Sequence, residues 1–173
     1  MSTGHVEYAS LNGTHIFKLI GEVRAHSCIS LDKLLNKIEQ QQNVVGAIVD
    51  LTQTTCIDST VLGVLAKLGL KLKQIHKIQA VMLSTNQDIT TLANSMGLGQ
   101  VFVILNYCGD PSLCTLELTE EYVTHSAMLN TVLDAHKTLM RLNQNNQNMF
   151  EPLVKQLQKE QDCLNLDTHK QNA

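Results

Sequence analysis

The run Asp58-Ser59-Thr60 sets a carboxylate beside two hydroxyls, just ahead of a leucine-rich stretch with helical spacing. The first amides of a helix have no backbone partner, so a side-chain oxygen there caps them, and a serine hydroxyl there stands outside the hydrogen-bonded cylinder. Asp58 or Ser59 can serve as that cap. Hydrolytic use of Ser59 would need a base and an oriented third group. The serine lacks the GxSxG elbow, no Gly-rich phosphate loop follows any strand-like run, and Gly97-Leu98-Gly99 is too slight to count. The seven histidines (His5, His15, His26, His76, His125, His136, His169) are dispersed, none with a second ligand at i+3 or i+4, and no metal site is expected. His125 and His136 share a helical face but stand about 16 Å apart along it, and read as surface or interface residues. The cysteines at 28, 56, 108, 114 and 163 are odd in number, without a CxxC pair, and read as buried free thiols. Cys108 and Cys114 are near enough in sequence to bridge a loop, but a cytosolic chain disfavours it.

Composition bounds what these residues can be part of. The chain has 173 residues, 43% hydrophobic and 17% charged, the balance of a folded globular domain with an appendage. A net charge of -3 without basic clusters leaves nothing to neutralise phosphates, so direct nucleic-acid binding is not expected. No apolar run nears the roughly 18 residues of a membrane span, and the N-terminal MSTGHVEYAS lacks the order of a signal peptide. A cytoplasmic protein without a membrane segment is expected.

The elements that would position Ser59 follow from periodicity. Val6–Ala9 and His15–Val23 alternate apolar with polar around Asn12-Gly13, which predicts an antiparallel hairpin. Leu31, Leu34, Leu35 and Ile38 recur at helical spacing behind Ser30 as N-cap. Val44–Leu51 is a continuous β-branched-rich run, expected at the centre of the sheet, followed by a polar loop over Thr52–Cys56. Thr60 to about His76 predicts a helix with the apolar stripe Val61, Leu65, Leu68, Leu72 and Ile75. Beside that stripe lies a smooth face of Gly63, Ala66 and Gly69 or Leu70, and Lys67, Lys71 and Lys73 are expected in solvent. Ile78–Leu83 is strand-like, Gln87–Met96 helical up to Gly97, and Val101–Leu105 a last strand. Met82, Met96, Met128, Met140 and Met149 read as core fillers. The order β-β-α-β-α-β-α-β requires crossovers, hence an α/β fold with a mixed, mostly parallel sheet. Gly109-Asp110-Pro111 closes this domain, assigned to 1–110.

Residues 111–173 read as a helical extension. Thr119 with Glu120 and Glu121 marks a helix start, and Met128, Val132, Ala135, Leu139 and Leu142 form one stripe. Asn143–Asn148 is a polar break before a shorter helix on Phe150, Leu153, Val154 and Leu157, with Pro152 in its first turn and a frayed end. Amphipathic helices need a partner surface, so these should dock on the domain or pair two chains into a homodimer.

Asp50-Leu51 followed by Cys56-Ile57-Asp58-Ser59-Thr60-Val61-Leu62-Gly63 resembles the signature of STAS domains of anti-sigma factor antagonists. There a buried strand ending in Asp-Leu leads to Asp-Ser-Ser/Thr-Gly-Leu-Gly at a helix start. The likeness spans about residues 1 to 108 in element order and includes Gly21-Glu22-Val23; Val61 stands where many members have glycine. The resemblance implies a STAS-like fold and phosphorylation of Ser59. It implies a partner surface of Asp58, Ser59, Thr60, Val61, Leu62 and Gly63, and partner switching with an anti-sigma factor or serine kinase that a PP2C-type phosphatase resets. It implies a non-enzyme without a cofactor. A constitutive scaffold or small-ligand-binding STAS module, with no switch, is the alternative.

Overall fold

The computed structural model describes residues 4–107, 115–119 and 122–171, with side chains to 165. Cys108, Cys114, the expected boundary at 110, Glu120 and Glu121 fall outside them. Strands β1 (His5–Leu11) and β2 (Thr14–Val23) form the expected hairpin. Asn12 and Gly13 both take positive φ at its turn, as a two-residue connection matched to strand twist requires. Helix α1 (Cys28–Glu39), strand β3 (Gly46–Ile57) and helix α2 (Ser59–Lys71) follow. Then come β4 (Ala80–Leu83), α3 (Gln87–Ser95), β5 (Phe102–Leu105), β6 (Leu116–Glu117), α4 (His125–Met140) and α5 (Gln144–Gln171).

The sheet order is β5-β4-β3-β2-β1-β6. Strands β2 to β5 pair in parallel and β1 is antiparallel to both its neighbours, which is the mixed, mostly parallel sheet that the crossovers demand. The core lies between this sheet and the helices, with Phe17, Leu19, Val49, Leu51, Val61, Leu65 and Phe102 nearly or wholly inaccessible.

Several boundaries differ from the pattern reading. The polar stretch Thr52–Cys56 is strand: Gln53, Thr54 and Cys56 pair with Ile20, Gly21 and Glu22 of β2, and the buried Thr54 hydroxyl donates to the Leu19 carbonyl. Threonine suits a pleated surface, and ladder bonds satisfy a polar strand as well as an apolar one. Helix α1 starts before Ser30, whose hydroxyl donates to the Thr119 carbonyl at 2.7 Å. Helix α2 loosens into a π turn over Leu72–His76, which rotates Ile75 out to 49% exposure. Thr124 rather than Thr119 caps α4, its hydroxyl accepting from the Ala127 amide. The chain turns at 141–143, and α5 begins inside the polar run because the Asn143 carboxamide oxygen accepts from the Asn146 amide. Pro152 therefore sits in the interior of α5, and Met149 is 58% exposed.

Candidate functional site

Residue 58 ends the extended chain leaving β3, and its backbone (φ -95°, ψ 168°) points the carboxylate back over the first turn of α2. One oxygen, Oδ1, accepts from the Val61 amide at 2.9 Å. The other accepts from the Ala25 amide at 2.7 Å and so ties the 3-10 turn Ala25–Ser27 to the helix start. Asp58 is therefore the cap.

The Ser59 hydroxyl is left for another partner. Its Oγ lies 3.0 Å from His136 Nε2, on α4. His136 Nδ1 is 2.7 Å from the Val132 carbonyl, which can only accept, so in the neutral ring Nδ1 donates there and Nε2 accepts the Ser59 proton. The imidazole is 3% exposed and meets the Phe150 ring edge-on at 4.9 Å between centroids. His136 is thus buried inside the chain and not at the expected surface or interface, because α4 packs against α2. His125 stays exposed, bonded to Glu160 at 2.7 Å.

Helix α2 packs on the core and on α4, and leaves Leu70 and Lys71 half-exposed. Val61, Leu65 and Leu68 face the core, and the smooth side is split: a side chain at Gly69 would meet Val101 and Phe102, while Gly63 faces α4. A Cβ at Gly63 would lie 2.4 Å from the Ala135 carbonyl oxygen, so the two backbones touch where only glycine allows it. One turn on, Lys67 Nζ bridges Asp134 Oδ2 at 2.7 Å and Asp32 Oδ1 at 2.9 Å. Desolvation pulls its pKa down, but the two carboxylates outweigh it and hold the ammonium above its ordinary range. Lys67 and Lys71, the latter paired with Glu39, are half-buried rather than solvated; Lys73 is exposed.

Of the residues the resemblance singles out, Asp58 and Ser59 are half-buried, and Thr60, Val61, Leu62 and Gly63 are buried. The structure adds the α4 segment Asp134-Ala135-His136 to this constellation. No spacing rule connects positions 77 apart, so nothing in the sequence could have joined His136 to Ser59. Among the described residues no group of three or more His, Cys, Asp or Glu could hold a metal ion, and no helix is long and apolar enough to cross a membrane. Cys28 is buried, Cys56 half-buried and Cys163 exposed, and these three are free thiols.

A six-stranded mixed sheet with helix α2 entered through a capping aspartate and a serine defines an α/β domain of the STAS kind. Residues 5–116 match the STAS domain family, and the chain belongs to that family. It is similar in structure to the anti-sigma factor antagonist SpoIIAA in its unphosphorylated form. The TM-score is 0.51 at 12% identity, covering 60% of this chain and 89% of that one. The Bacillus cell fate determinant SpoIIAA in the phosphorylated form gives 0.49 at 16% identity, covering 58% and 91%. No curated protein matches the chain by sequence. Helices α4 and α5 lie beyond the family match.

Proposed function

We propose that the chain is a phosphorylation-controlled partner-switching regulator, an anti-sigma factor antagonist whose switch is Ser59. The observation that carries this reading is the division of labour at the helix start. Asp58 supplies the cap and the Ser59 hydroxyl bonds a side chain, so modification of Ser59 leaves the backbone of α2 satisfied. A serine kinase moves the terminal phosphoryl group of ATP to Ser59 Oγ, releasing ADP and the hydroxyl proton; a PP2C-type phosphatase returns the serine by hydrolysis. The protein receives phosphate and does not transfer it.

The phosphate adds about -1.5 to -2 charges and three acceptor oxygens. The helix terminus favours an anion by roughly 0.3 to 1 kcal/mol, and the neighbouring Asp58 opposes it by a similar amount. The charge therefore acts on the complex rather than on the fold. The unmodified form binds an anti-sigma factor or equivalent serine kinase in the cytoplasm through the Asp58–Gly63 segment, and phosphorylation releases it.

Full-length Ser59→Ala and Ser59→Asp variants, tagged and compared by co-purification from their own cells, test this. Retention of the partner by the alanine form and its loss by the aspartate form is expected; equal capture by both would sink the switch. The reading as a constitutive scaffold draws support from one feature, the occupation of Ser59 and Gly63 by the chain's own α4. A single unphosphorylated band on phosphate-affinity gels under every growth condition would establish it.

A further inference from the structure

The outer face of α2 is occupied by a segment of the same chain, and the occupation is specific. The three successive residues of α4 each serve one residue of α2: Asp134 pairs with Lys67, the Ala135 backbone fills the groove over Gly63, and His136 accepts the Ser59 proton. The turn between α4 and α5 is latched separately to the end of α3. Asn146, buried, donates through Nδ2 to the Met96 and Leu139 carbonyls at 2.8 Å each, and Gln100 Nε2 donates to the Leu142 carbonyl at 2.8 Å.

The hairpin is an addition to the sheet domain and not part of its sheet, although Ala135, Leu139, Leu142 and Phe150 join the core. The family match ends at residue 116, and within 106–124 the only regular structure among the described residues is the two-residue strand β6. Among its described side chains, α5 buries only Asn146 and Phe150. The hairpin is thus an added lid over α2, held by the contact at Gly63, by polar bonds and by the burial of Leu139, Leu142 and Phe150.

We infer that the α4–α5 hairpin is an intramolecular gate that withholds the Ser59–Gly63 face of α2, and that a partner or kinase gains the face only when the hairpin lifts. The inference rests on reading Ser59 as the switch. It also states the chemistry of the partner, which must offer what α4 offers. That is a helix with a small residue against Gly63, a carboxylate within reach of Lys67 and an acceptor for the Ser59 hydroxyl. In the docked form the Ser59 hydroxyl is engaged with the buried His136 and is not free to meet an incoming phosphoryl group. Lifting exposes Leu139 and Leu142, which join the domain core, so the docked form predominates, and the partner's apparent Kd rises by the inverse of the open fraction.

The test uses the full-length chain in three forms: wild type, Asn146→Ala, which loosens the latch without altering either partner of the Ser59–His136 bond, and Ala135→Leu, which forces α4 off Gly63. Amide hydrogen exchange reports opening, and incorporation of labelled phosphate from ATP in an extract of the source cells, with Ser59→Ala as blank, reports access. Both variants should speed exchange in α4 about tenfold or more, leave the β3 and β4 amides protected, and raise the initial rate of Ser59 phosphorylation by a similar factor. Faster α4 exchange with phosphorylation still at the wild-type rate would overturn the gate alone. So would loss of protection in α4 and the sheet together. Absence of phosphate from all three forms would overturn the switch reading, and the gate with it.

Discussion

Asp58 is where the local and tertiary demands on this site meet, and removing its carboxylate measures both. In Asp58→Ala the Val61 amide loses its cap, a loss of about 1 kcal/mol in comparable helices. The Ala25 amide loses a 2.7 Å bond to a charged acceptor, for which about 1.5 to 3 kcal/mol is usual. Half-burial argues against the top of that range, so a total of about 2 to 3.5 kcal/mol is expected. For a chain of this length that lowers Tm by roughly 4 to 14 °C. Asp58→Asn separates the two terms. Its carboxamide oxygen can still accept from Val61, but the NH2 then faces another donor at Ala25, so its loss should be about 1 to 2.5 kcal/mol, all from the second bond. Urea unfolding followed by circular dichroism gives both differences, with stability ordered wild type, Asn, Ala. An Asp58→Asn protein as stable as wild type would refute the bracing of the 3-10 turn by Asp58, and an alanine form within about 0.5 kcal/mol of wild type would refute the cap as well.

Gly63→Val drives a side chain into the Ala135 carbonyl, an overpacking that should cost about 1 to 3 kcal/mol or lift α4 from α2; unchanged Tm together with unchanged α4 exchange would contradict the contact. His15 is 1% exposed, with Nδ1 hydrogen-bonded to the Tyr8 hydroxyl oxygen at 2.7 Å; burial, then the nearby His76, hold its pKa below the ordinary value. The unfolded chain then binds the extra proton first, so stability should fall as pH drops below about 6.5, and His15→Phe should flatten that slope; an identical pH profile would dismiss the assignment. Burial pushes the Cys28 thiol well up, with Asp58 and Asp32 adding to it, whereas Cys163 is exposed. Iodoacetamide at pH 8 should mark Cys163 and spare Cys28 in the native protein, and equal labelling by mass spectrometry would contradict that burial.

Most of the sheet domain was legible because its signals are local. The hairpin at Asn12-Gly13, the buried run that becomes β3, the stripe Val61-Leu65-Leu68-Leu72 and the stop at Gly97 each follow from periodicity or from a residue with a particular backbone preference. The readings that moved did so where tertiary bonds outvoted composition. Thr52–Cys56 looks like a loop by polarity, yet the β2 ladder and the Leu19 carbonyl make it strand. Asn143–Asn148 looks like a break, yet the caps at Asn143 and the carbonyls awaiting Asn146 turn it into the first turn of α5.

The same division runs through the site. Sequence by itself determined the order of elements, the helix start at Asp58-Ser59-Thr60 and the resemblance carried by that motif, because a cap and its helix lie within a few residues of each other. Which of Asp58 and Ser59 is the cap depended on where the second carboxylate oxygen finds an amide, and that amide belongs to Ala25. The hydrogen-bond partner of the Ser59 hydroxyl depended on how α4 lies against Gly63, a packing of two backbones for which no pattern of side chains is a sufficient code. Contacts between residues 77 positions apart are set by the fold as a whole, through the burial of α4's apolar stripe, and so the lid over Ser59 belongs to the tertiary structure alone.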